Sequence, residues 1–406
     1  MIPHREAAPA TRRLPLLFVL AGNMLIDALE VSVVLPALPS AAGDLGLSAG
    51  QAQWMMGGFA LGFAALLLLG PRVTALFGRR RVYLAALAVF VVASAVGGVA
   101  EGGAAVVATR VVKGACAALT APAGLAIIAT AFPHGPLQRR AVSVYSFFGA
   151  AGFTVGLLLS GPLTAFSWRW TLLFPAAAAL LLLPFAWRLI PEGQGGGPLP
   201  PVLVKRSLLA DRRLVRSAVG AATLNGANLA LLLTVVFVLQ VERNWEPWQT
   251  AVALLPTCVP LVGSALFSGR MVERFGTEGP IALGALAAAL GWGWQLAGPG
   301  PAVYGSGLLP TLLLTGAAFA LAFGPLNMQA TADVPAEDRG LAVPLYQTGV
   351  QLGAVVALTS TGALLSRGSR PALVSVAALG ALGLAVALAG LRERHRDSQR
   401  ERNLSC

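Results

Sequence analysis

Twelve long apolar runs decide what this chain can fold into: residues 14–38, 50–69, 82–100, 103–132, 141–166, 170–190, 216–240, 249–268, 280–299, 302–326, 340–366 and 372–391. A helix needs about 20 apolar residues to cross a bilayer. In lipid the backbone must satisfy its own hydrogen bonds, so each run is expected to be helical. Charged residues make up only 11% of the chain, against about 25% in soluble proteins. The expectation is an all-α membrane protein with twelve transmembrane helices. TRRLPL at 11–16 faintly resembles a twin-arginine signal. The run after it is too long for a signal core, carries acids and lacks a clear small-residue cleavage site. Arg12 and Arg13 read more simply as a flank of the first span.

The formal net charge of +12 would suit a nucleic-acid partner, but the positions of the bases exclude that reading. With the N-terminus inside, inner segments hold 23 Lys and Arg and outer loops hold four, Arg169, Arg243, Arg367 and Arg370. That bias places both termini in the cytoplasm and sets the inner bases near anionic headgroups. The remaining two of the 29 bases, Arg110 and Lys113, lie within a span. Arginine outnumbers lysine 27 to two, and with the richness in Ala, Gly and Leu this is the bias of a high-GC bacterial gene. Cys116, Cys258 and Cys406, and His4, His134 and His395, show no metal or redox spacing, so no metal or cofactor is expected. Nothing in the sequence speaks to oligomeric state.

Residues 191–215, rich in Pro and Gly, are the one long polar interruption. They read as a cytoplasmic linker between a bundle over 1–190 and another over 216–392, with 393–406 as a cytoplasmic tail. The halves also repeat. VTALFG at 73–78 resembles MVERFG at 271–276, an offset of 198 (276 − 78). The same offset sets Gln51 on Gln249, Asp27 on Asn225 and Glu30 on Asn228. Each half thus opens with a helix carrying two polar residues at i and i+3, on one face. Parallel six-span repeats with a site at the midplane build one transporter architecture.

Several segments, in order, resemble the major facilitator superfamily, in its multidrug drug:proton antiporter branch. DALEVSVVLP at 27–36 resembles the branch's first-span pattern LDxTIVNVALP, with Asp27 on its acid and Pro36 on its proline. GPRVTALFGRRRVYL resembles the signature loop GRLADRFGRRR, and ATRVVKGACAAL the fourth-span pattern RxxQGxGAA, with Lys113 in place of the glutamine. FVLQVERNWEPWQTAVALLP resembles the corner between spans 7 and 8, and GLAVPLYQTGVQLG the start of span 11. The resemblance implies two pseudo-symmetric six-helix bundles, alternating access and a gating loop. Arg72, Gly78 and Arg79 fall in that loop, and Glu273 and Arg274 in its repeat. It departs where Ala75 and Leu76 replace the loop's acid and base, and where Leu replaces the proline of the fifth-span pattern at 156–161. Gly152, Gly156 and Gly161 still permit close helix packing.

Four ionisable residues lie inside spans: Asp27, Glu30, Arg110 and Lys113. Intramembrane charges face a cavity or each other. Counting to the outer ends puts Asp27 and Lys113 at roughly 15 Å depth, with Glu30 and Arg110 nearer the outside. Two rungs are expected: Asp27 with Lys113, and Glu30 with Arg110. Proton coupling needs a group whose charge changes during the cycle; Asp27, Glu30 and Lys113 qualify, and Arg110 is a fixed counter-ion. The competing reading is a static structural network. Substrate candidates are Asn23, one turn from Asp27, and Asn225, Asn228, Tyr145, Phe148, Gln347 and Gln351. Helix–helix hydrogen bonding explains the amides equally well, and lipid contact the aromatics.

The expected function is secondary transport: export of a small amphipathic organic compound in exchange for protons. The alternatives are an uptake permease, or a receptor or enzyme on the same scaffold, since fold alone does not fix function. The chain shows no soluble domain, nucleotide loop or evident nucleophile–base pair.

Overall fold

The computed structural model describes residues 10–133, 135–192, 205–264, 268–298, 303–335 and 338–404. Eighteen α-helices and no strand occur among them. The first nine are α1 (Ala10–Ser32), α2 (Leu38–Asp44), α3 (Ala49–Ala52), α4 (Trp54–Leu67), α5 (Gly70–Phe77), α6 (Arg79–Val99), α7 (Gly103–Ala131), α8 (Pro136–Phe166) and α9 (Trp170–Leu189). The rest are α10 (Arg206–Ala210), α11 (Arg212–Phe237), α12 (Pro247–Leu254), α13 (Cys258–Ser264), α14 (Ser268–Phe275), α15 (Glu278–Ala297), α16 (Leu309–Gln329), α17 (Arg339–Leu365) and α18 (Ser369–Leu404).

Ten helical stretches are long and apolar enough to cross a membrane, and α3–α4 with α5 make an eleventh, bent by 58°. The break falls at Leu68–Leu69, just before α5, whose first turn carries Pro71, a residue without a backbone donor. The remaining expected run, 249–268, is not one unbroken helix among the described residues. Pro256 lies in a 3₁₀ turn, Leu255–Thr257, that separates α12 from α13, and residues 265–267 lie outside the described set. Most of the expected linker also lies outside it; its described end folds as α10, and Asp211 caps α11 by accepting from the Arg213 and Leu214 amides. The last helix continues to Leu404, past the expected boundary at 392.

Packing divides the chain into two compact units. The first comprises Met1–Leu47, Trp54–Val202 and Glu246–Val252; the second comprises Ser48–Gln53, Leu203–Trp245 and Ala253–Cys406. In the first, α1 packs on α8, α4 on α7, and α6 on α7 and α9; in the second, α11 packs on α17 and α18, and α15 on α16 and α18.

Local geometry repeats in the two units. Helix α5 ends at Gly78 with φ 83°, and α14 ends at Gly276 with φ 71°. Both bounds of α14 are those of α5 moved by the sequence offset. Ser48 N–H donates to Gln51 Oε1 at 2.9 Å, and Glu246 N–H donates to Gln249 Oε1 at 2.9 Å. The left-handed backbone at Gly78 and Gly276 explains why both loops end on glycine.

Candidate functional site

Helix α1 carries Asn23, Asp27 and Glu30 at steps of four and three, so all three share a face. Helix α7 carries Arg110, Lys113 and Thr120 on one face by the same rule. Glycines bring the neighbouring backbones close. A Cβ at Gly114 would collide with the Phe59 carbonyl of α4, and one at Gly62 with the Val111 carbonyl of α7. On the other side, a Cβ at Gly152 would lie 2.5 Å from the Leu25 carbonyl of α1, and one at Gly156 would strike Ser32. The small-residue packing expected of Gly152 and Gly156 is therefore present, and Gly161 closes on Trp248.

Glu30 holds both bases. Arg110 Nη1 donates to its Oε2, and Arg110 Nη2 donates to its backbone carbonyl at 2.9 Å. Arg110 Nε donates to the Met55 carbonyl at 2.6 Å, and its guanidinium lies 5.0 Å from the Phe59 ring centroid. Lys113 Nζ stands 2.6 Å from Glu30 Oε1, an ion pair by distance that is not aligned as a hydrogen bond. The ammonium also lies 5.1 Å from the centre of the Phe90 ring. All three side chains are at most 1% exposed. The guanidinium is pinned at three points and faces an aromatic ring, which fixes its orientation as well as its charge.

Asp27 is arranged differently. Its Oδ2 accepts from Asn23 Nδ2 at 3.1 Å and from Thr120 Oγ1 at 3.0 Å. No ion pair forms at Asp27 among the described residues. The expected Glu30–Arg110 rung is present, but the Asp27–Lys113 rung is not. Arg110 and Lys113 lie one turn apart on one face, and the two oxygens of Glu30 accommodate both. Asp27 keeps neutral donors instead. Thr120 was not among the sequence candidates. Its place on the Arg110–Lys113 face, two turns beyond Lys113, is the signal that would have found it. Met55, Phe59 and Phe90 offer no such signal, because they act through a carbonyl and two ring faces.

The other candidates are dispersed. Tyr145 is buried and its hydroxyl donates to the Ala121 carbonyl at 2.9 Å. Phe148 is half-buried and packs edge-on against Phe18 and Phe147. In the second unit Asn228 is buried with its Oδ1 unbonded, and Asn225 is half-buried. Gln347 Nε2 donates to Asn327 Oδ1 at 3.1 Å, and Gln351 is half-buried. In the loops, Arg79 donates to the Ala126 carbonyl at 3.1 Å and Arg72 is half-buried. Glu273 and Arg274 are exposed, with the Arg274 guanidinium 5.5 Å from the Phe275 ring centroid.

A buried acid–base cluster beside a second acid, inside a bundle of membrane-length helices, marks a multi-pass membrane transporter. Residues 20–358 match the Major Facilitator Superfamily, and the chain belongs to that family. It is 31% identical to the puromycin resistance protein pur8 of Streptomyces alboniger, over 91% of this chain and 88% of that protein. It is 28% identical to the tetracenomycin C resistance and export protein of Streptomyces glaucescens, over 87% of this chain and 76% of that protein. The fold is similar to that of the nucleoside transporter NupG, with a TM-score of 0.76 and 13% identity over 94% of this chain and 99% of that one. The chain is a transporter, not an enzyme.

Proposed function

We propose that this protein exports a small amphipathic organic compound from the cytoplasm in exchange for protons, by alternating access. In this reading the units over 1–190 and 216–392 are the moving bundles, and both termini face the cytoplasm of a bacterial inner membrane. The name of the tetracenomycin C resistance and export protein supports the direction, and that name together with the name of the puromycin resistance protein pur8 supports the substrate class. The coupling rests on one observation: Asp27 has hydrogen-bond donors but no counter-ion among the described residues, beside a Glu30 held by two bases. Asp27 can gain or lose a proton without an ion pair breaking. Glu30 cannot, so it and Arg110 form the fixed part, and Lys113 tunes the field around the pair. Asn23 shares the face of Asp27, and the remaining amides and aromatics are contacts for substrate.

Proteoliposomes with an imposed pH gradient test this against a panel of antibiotics and related compounds. Substrate-driven proton movement is expected from the native protein, and loss of coupling from Asp27→Asn. Unchanged pH-driven transport by Asp27→Asn would remove Asp27 from the mechanism.

A further inference from the structure

Away from their ends, the membrane-length helices carry four acidic or basic side chains among the described residues: Asp27, Glu30, Arg110 and Lys113. All four belong to the first unit. In the second, the offset of 198 sets the neutral Asn225 and Asn228 on Asp27 and Glu30. Tyr83, Cys116 and Tyr145, in the core of the first unit, carry no charge at neutral pH by their ordinary values. The charge of the site is therefore that of two acids and two bases. It is zero with Asp27 ionised and +1 with Asp27 protonated. Lys113 sets that sum. The fourth-span pattern that α7 resembles has glutamine there. With glutamine the sum is −1 with Asp27 ionised and zero with it protonated.

The Lys113 ammonium also occupies a place of definite chemistry. Each base pairs with Glu30 and faces an aromatic ring, Arg110 at 5.0 Å from the Phe59 centroid and Lys113 at 5.1 Å from that of Phe90. A carboxylate with an aromatic face close by is what holds an organic ammonium ion. Here the protein's own ammonium stands in that position. Glu30 and both bases are at most 1% exposed, so bulk water and salt screen them little and their net charge acts beyond contact distance.

We propose that Lys113 is a built-in counter-ion that stands in for a positive charge on the substrate, so that the exported compound carries no net charge. This rests on the reading of Asp27 as the proton carrier. A proton taken up by Asp27 from outside is released inside, and the substrate leaves on the ionised form. The proton-loaded site is then +1 and the substrate-loaded site zero, so each exchange moves one positive charge inward. A cation gains no net attraction from the ionised site. An anion binds best to the +1 form, together with the proton, which is cotransport and not exchange. Glutamine at 113 reverses the match. Its ionised site, at −1, is neutralised by a monovalent cation, and exchange of that cation for a proton moves no net charge.

Transport by the full chain in proteoliposomes tests this with ethidium, a permanent cation, and chloramphenicol, which is uncharged. The native protein is expected to favour chloramphenicol and to move it faster when a valinomycin-imposed potential is added. Lys113→Gln is expected to raise ethidium transport by at least about tenfold, the scale of one buried unit charge. That transport should follow a pH gradient and ignore the potential. Lys113→Met makes the same change of charge and serves where Lys113→Gln does not fold, and Lys113→Arg is expected to keep the native selectivity. Faster transport of ethidium than of chloramphenicol by the native protein overturns the proposal. So does the absence of an ethidium gain in both neutral variants. Failure of the underlying reading looks different: pH-driven transport of either compound would survive Asp27→Asn.

Discussion

Glu30 is one carboxylate facing two bases, and that imbalance orders the expected effects of substitution. Removing the acid leaves Arg110 and Lys113 buried without a counter-ion. Glu30→Gln is therefore expected to destabilise the protein by about 3–5 kcal/mol. Lys113→Gln leaves the Glu30–Arg110 pair intact and introduces the residue that the resembling fourth-span pattern carries, so its cost is expected to be about 1 kcal/mol. Asp27→Asn retains acceptor capacity for Asn23 and Thr120 and is expected to fold normally while losing coupling. Thermal unfolding of the three variants in one detergent checks the order; a Lys113→Gln cost matching that of Glu30→Gln would show that both bases are essential to the cluster. The four charges were legible in the sequence because acids and bases are rare inside apolar runs. Their pairing was only half legible. Depth counting treats each side chain as a point at its own residue, whereas Lys113 reaches along α7 to the acid that Arg110 already holds.

The site depends on how closely its helices approach, and glycine sets that distance. Gly62 and Gly114 bring the backbones of α4 and α7 together, which puts the Met55 carbonyl within reach of Arg110 Nε. Adding side-chain atoms to such an interface typically costs 1–3 kcal/mol, and more where backbone atoms cannot move. Gly114→Val is therefore expected to lower the yield of folded protein and to shift its unfolding by at least about 1 kcal/mol. Gly293→Ala, at a position with open space around it, is expected to be neutral. Equal behaviour of the two variants would show that the α4–α7 approach is not tight. Helices were legible as apolar runs, but their interruptions were less so. The run 249–268 has the composition of a span, yet Pro256 stands in a turn that separates α12 from α13. Hydropathy counts proline as a mildly polar residue and does not register its missing N–H.

Across the whole molecule the repeat is closer in geometry than in sequence, and it isolates the charge. The offset of 198 holds from α1 through α15. Gly114 then meets the Phe59 carbonyl while Gly316 meets that of Thr257, so the later helices are offset by 202 (316 − 114). The four extra residues fall before α16, around the π-helical turn Tyr304–Leu308. With that step Arg110 and Lys113 correspond to Leu312 and Thr315, both fully buried. The second unit therefore has neutral amides on α11 and no base opposite them on α16, although the backbones match. An acid at 228 should be costly alone and cheaper with a base at 312. Asn228→Glu is expected to cost about 2.5–3.5 kcal/mol, the penalty for an unpaired charge at mid-span. In Asn228→Glu/Leu312→Arg at least about 1 kcal/mol of the summed single costs should be recovered, as in a coupled pair. Unfolding of the two single variants and the double variant closes the cycle. Strict additivity would mean that α11 and α16 do not reproduce the approach of α1 and α7, and that the likeness between the units stops at the backbone.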